Sequence, residues 1–71
     1  MSSYKTLDVV GLIMEYEDGG LSARDTLKLF SHLIMTGMAW SLQGSYGRAA
    51  MSFIENGYIS PKGQVLKSIE D

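Results

Sequence analysis

Ser22-Ala23-Arg24-Asp25-Thr26-Leu27-Lys28-Leu29-Phe30-Ser31-His32-Leu33-Ile34-Met35-Thr36-Gly37 carries the clearest secondary-structure signal in the chain. Ala23, Leu27, Phe30, Leu33 and Ile34 recur at the three-and-four spacing that places them on one face of an α-helix, since each residue turns the chain by about 100°. Arg24, Asp25, Lys28, Ser31 and His32 fall on the opposite face. Ser22 is placed to accept a hydrogen bond from a first-turn amide, and Asp25 approximates the far end of a capping box, where Glu or Gln is commoner. Gly37 can adopt the left-handed conformation that ends a helix. Met35 interrupts the polar face. A flexible, polarizable side chain there suits an adaptable contact surface, so Met35 and His32 are candidate surface contacts. His32 has no Cys and no second His to share a metal, and its neighbour one turn away is Lys28, so a solvated surface histidine is the simpler reading.

Downstream, Met38 and Leu42 at i, i+4 predict a short helix ending at Gly44, although Met38, Trp40 and Leu42 also alternate as a strand would. Ser45 is the expected N-cap of a third clear helix. Tyr46, Ala49, Ala50, Phe53 and Ile54 lie on one of its faces, and Arg48, Ser52, Glu55 and Asn56 on the other. The small pair Ala49-Ala50 permits a close neighbour, and Gly57 ends the helix. Ser60-Pro61-Lys62-Gly63 fits a type I turn. It also fits Ser60 as N-cap with Pro61 in the first helical position, and the spacing of Val65, Leu66 and Ile69 favours that final short helix.

Upstream, Met1 to Lys5 reads as a frayed start and Thr6 as an N-cap, with Asp8 favourably placed near the positive end of the dipole. Leu7, Val10, Ile13 and Met14 share one face of the helix that follows, and Val9, Leu12 and Tyr16 widen it into an arc that contacts neighbours on two sides. Gly11 costs roughly 1 kcal/mol relative to Ala, which a close helix crossing would explain. Glu17-Asp18-Gly19-Gly20 ends this helix. These elements predict an all-α fold: one domain over residues 1–71, a small compact bundle of four to five short helices, with a helix-turn-helix arrangement as a variant.

Composition narrows the chemistry. A chain of 71 residues hides only about 60% of its unfolded surface and its core alone supplies about 3–5 kcal/mol. Small domains add disulfides, metals, self-association or regular helix packing. With no Cys and one His, only the last two remain, and no metal or cofactor is expected. Net charge is −2, which argues against a generally basic nucleic-acid surface. The acids cluster before Met35, and Glu55 is the only acid between Thr36 and Ile69, against Arg48, Lys62 and Lys67. No apolar run approaches the roughly 20 residues that span a bilayer, and no signal-peptide pattern opens the chain. A cytoplasmic protein without a membrane partner is expected. No Ser-His-Asp or paired-carboxylate arrangement can be drawn, so catalysis is not expected.

Trp40-Ser41-Leu42-Gln43-Gly44-Ser45-Tyr46-Gly47-Arg48 holds the sole Trp, two glycines and an Arg. The first amides of a helix lack internal partners and sit at the positive end of its dipole. Gly47 would let a ligand approach, and Arg48 adds a fork of donors for phosphate or carboxylate. A cation in the first turn opposes the dipole by roughly 0.3–1 kcal/mol, which a bound anion or a partner's carboxylate would reverse. The alternative is that Arg48 lies flat on the surface or pairs with an acid of the first helix, and that Gly47 makes room for Trp40. Trp40 and Tyr46 flank Gln43. Both suit interfaces and cores, Trp40 being the better core candidate. Trp40, Gln43, Ser45, Tyr46, Gly47 and Arg48 are the candidate partner- or anion-binding residues. The sequence lacks the Lys-Ser/Thr ending of a P-loop.

The run from Leu29 to Arg48, with Thr36-Gly37-Met38-Ala39-Trp40-Ser41-Leu42-Gln43-Gly44-Ser45-Tyr46-Gly47-Arg48 at its heart, resembles a family of small uncharacterised proteins encoded by tailed bacteriophages. The likeness extends over about residues 12–59, including Ile13-Met14-Glu15-Tyr16-Glu17-Asp18-Gly19. It implies a phage origin, and hence the cytoplasm of an infected bacterium, but no activity. In that family an acidic residue is more usual where this chain has Met35. The leading expectation is a homodimeric helical binding protein that engages a phage or host protein. The alternatives are a helix-turn-helix nucleic-acid binder built on residues 38–56, followed by the wing-like phrase Gly57 to Gly63, and a binder of a small anion at Ser45, Gly47 and Arg48.

Overall fold

The computed structural model describes residues 8–67. Four helices follow in order: α1 (Val9–Asp18), α2 (Ala23–Thr36), α3 (Met38–Ser41) and α4 (Gly44–Glu55). Among the described residues there is no strand, only one isolated antiparallel bridge between Ile59 and Val65. The fold is all-α, as its periodicity predicts.

The ends of the helices follow from side chains that satisfy the unpaired amides and carbonyls there. Ser22 caps α2, its Oγ accepting from the Asp25 amide at 3.1 Å, and Gly37 ends it in the left-handed region at φ 83°. The cap of α1 is Asp8 rather than Thr6, which lies outside the described residues: the Asp8 carboxylate accepts from the Gly11 amide at 3.1 Å. That contact also corrects the reading of Gly11. A Cβ there would collide with the Asp8 carboxylate, so the glycine makes room for the cap and not for a crossing helix. Helix α4 begins two residues earlier than expected. Gln43 occupies the cap position and makes no side-chain capping bond, so Ser45 is a helical residue and not the N-cap.

Helix α2 is the centre of the molecule. Phe30 is fully buried, and its ring meets Tyr16 of α1 at 5.3 Å edge-on, Phe53 of α4 at 5.3 Å and Tyr46 of α4 at 6.0 Å between centroids. Leu27, Leu33, Ile34, Ala39, Ala50 and Ile59 complete the core. Leu29, beside the expected stripe, is buried with it, whereas Ala23 is exposed. Helix α1 uses a narrower face than predicted: Val9, Leu12, Ile13 and Tyr16 pack inward, while Val10 and Met14 are left in solvent.

The segment after α4 is not helical where it is described. Ser60 Oγ accepts from the amides of Lys62 and Gln64, and the Gly63 amide donates to the Ser60 carbonyl at 2.9 Å. This closes the turn alternative at Ser60-Pro61-Lys62-Gly63. Local hydroxyl bonds of this kind compete with helix formation, and Ile59 gains full burial in the extended form. The turn docks on α2: Ser31 Oγ donates to the Gly63 carbonyl. Ser31, read as part of a solvated face, therefore lies under the tail.

Candidate functional site

Helices α3 and α4 present an open groove of about 570 Å³ lined by Trp40, Gly44, Gly47, Arg48, Met51, Ser52 and Glu55. Two features of the local sequence build it. Gly37 ends α2 and turns the chain into α3, which carries Trp40. The two-residue link Leu42-Gln43 then sets α4 beside α3. Trp40 is 50% exposed and Met51 44% exposed, an unusual state for large apolar side chains gathered on one face.

The indole lies across Gly47, whose absent Cβ would sit 3.8 Å from Trp40 Cε3. Arg48 folds back toward the start of α4, with Nη1 3.4 Å from where a Cβ on Gly44 would be. Gly44 is the first residue of α4, which puts Arg48 fifth in the helix, just beyond the first turn in which it was expected. No ion pair holds Arg48 among the described residues. Glu55, the last residue of α4, lines the same groove.

The candidates predicted from sequence divide into three groups. Trp40, Gly47 and Arg48 meet in the groove. Gln43 and Ser45 are exposed at the start of α4 but do not line it. Tyr46 points the other way: it is 4% exposed and its hydroxyl donates to Glu17 Oε2 of α1 at 2.6 Å. Burial, then the hydrogen bond and negative charge of Glu17, push its pKa up to about 12. Trp40, the better core candidate by sequence, is thus half in solvent, and Tyr46, which suited core and interface alike, is in the core. His32 is half-buried and Met35 is 63% exposed on α2, both outside the groove.

Sequence reading placed Ser52 and Glu55 on the same face as Arg48 without naming them as site residues, and left Met51 on neither face. Their spacing of three, four and seven residues from Arg48 puts them on one helical face, a pattern that was visible. The described residues hold no cluster of His, Asp and Glu suited to a metal ion, and no helix among them is long and apolar enough to cross a membrane.

A family model described as a domain of unknown function (DUF7417) matches residues 1–71. The chain belongs to this family. No curated protein and no solved structure matches it.

Proposed function

We propose that this DUF7417 protein is a phage-encoded, non-catalytic binding protein of the host cytoplasm. In this reading it acts as a homo-oligomer and engages a phage or host protein. The exposed Trp40–Met51 groove carries the proposal. Large side chains that could have been buried are instead held out beside one cation and one anion, the anatomy of an apolar contact core with a charged rim. The phage origin rests on the resemblance around Trp40 to Arg48.

The test is affinity capture from infected cells with the wild-type chain and with Met51→Glu, which puts a charge into the groove on an exposed position that the fold does not need. A protein retained by the wild type and lost by the variant supports the reading. Identical captured sets from two folded baits overturn it.

The hairpin after α4 is the one observation that favours nucleic-acid binding, since a winged helix has such a hairpin there. Its turn, however, is pinned to α2 through Ser31 and Gly63, whereas a wing projects. The outer face of α4 also offers a single cation, Arg48. An anion at the start of α4 has weaker support: the Tyr46 amide already donates to the Gln43 carbonyl at 2.9 Å, and Ser45 lies outside the groove.

A further inference from the structure

The charges on the groove are arranged to complement themselves. Arg48 and Glu55 both line it and are seven residues apart on α4, two helical turns or about 10 Å along the axis. Met51 and Ser52 lie midway between them. If a second α4 packs antiparallel across this face with the two-fold axis at Met51 and Ser52, Arg48 of each copy falls opposite Glu55 of the other. Met51 meets its counterpart region at the centre, beside the small side chain of Ser52. An isologous interface requires this kind of self-complementarity.

The helix dipole supports the same arrangement. Within one chain Glu55 is at the negative finish of α4, with no base in its last turn, whereas Arg48, fifth in the helix, is just beyond the first turn. An antiparallel neighbour relieves Glu55, which then lies beside the positive start of the other helix. A domain of this size also has the most to gain from covering a second apolar face.

We infer that the groove is the interface of a two-fold homodimer in which antiparallel α4 helices pack around Met51 and exchange Arg48–Glu55 ion pairs. This rests on the reading of the α3–α4 face as a contact surface and names its occupant, a second copy of the chain. The phage or host protein then engages the assembled dimer, so a variant that opens this interface loses it as well.

The experiment is a charge swap followed by sedimentation equilibrium and by the emission of the single Trp. Wild type should be dimeric, with Trp40 emission shifting to shorter wavelength as concentration rises. Arg48→Glu and Glu55→Arg each place like charges opposite one another twice per dimer and should weaken association roughly tenfold or more. The double variant Arg48→Glu/Glu55→Arg should restore it. Circular dichroism confirms that each variant is folded, and Arg48, Met51 and Glu55 are all solvent-exposed, so misfolding does not confuse the result. A monomeric wild type, or a dimer that both single variants leave intact, or a double variant that stays weakened, overturns the inference. If the wild type is monomeric yet Met51→Glu still loses a captured protein, the dimer is wrong and the contact surface stands. If Met51→Glu changes neither association nor capture, both are wrong.

Discussion

Two residues show how single positions hold this fold. Tyr46 brings a phenol into the core and satisfies it with the Glu17 carboxylate, so α4 and α1 are joined by a polar contact at the edge of the aromatic cluster. Its pKa rises from 10.0 to about 12 on folding. The protonated form is therefore the one the fold favours. Its contribution is complete below the unfolded pKa and is lost as the pH rises through the folded one. Denaturant unfolding followed upward from about pH 9 should show stability falling toward pH 12, and Tyr46→Phe should flatten that fall while costing about 1 kcal/mol at neutral pH. Gly63 is the second. It adopts φ +101°, and a Cβ there would lie 2.8 Å from the Met35 amide nitrogen and 2.9 Å from the Ser31 carbonyl oxygen. Neither backbone atom can retreat without moving α2. Gly63→Ala should destabilise the protein by about 2–4 kcal/mol, read as a lower denaturant midpoint.

At the scale of the element, the caps decide what was legible. Helix α2 could be read closely because an amphipathic stripe, a serine cap and a terminal glycine all agreed, and consistency between levels is what makes a segment predictable. Ser22→Ala should cost about 1 kcal/mol. Ser45→Ala should change stability by no more than about 0.5 kcal/mol, because α4 already begins at Gly44 and Ser45 caps nothing. Thermal melts of the two variants side by side test the distinction. The start of α4 was misread because a serine after a glycine has the composition of a cap, while the helix in fact enters through an uncapped Gln43. The tail was misread for a related reason. Its apolar spacing suits a helix, but Ser60 spends its hydroxyl on local amides and Ile59 is drawn into a core formed by residues distant in sequence. Periodicity does not record either effect. The groove was half legible: Trp40, Gly47 and Arg48 were recognised from their rarity and clustering, whereas Met51 had been assigned to neither face of α4. Tyr46 turns inward with the apolar stripe of α4, and its hydroxyl is met by Glu17, an acid of another helix that periodicity within α4 does not reveal.

For the whole molecule, the balance is between one small core and the apolar surface left outside it. Phe30 and its ring neighbours hold three helices to one another, yet Trp40, Met51, Val10 and Met14 remain in solvent. A chain that gains burial by association has a melting temperature that depends on concentration. Melts over a hundredfold range of protein should move upward for the wild type, and for Arg48→Glu the same rise should need roughly tenfold more protein or above. The clasp between Ser31 and Gly63 has a different consequence, which concerns the order of events during synthesis. Helices α1 to α4 are all translated before Gly63, so the flank of α2 beneath the turn waits uncovered until the Ser60–Gly63 turn leaves the ribosome. A message truncated just ahead of that codon would release a bundle with Ile59 unanchored and Met35 stripped of its neighbour, a ready substrate for cellular proteases.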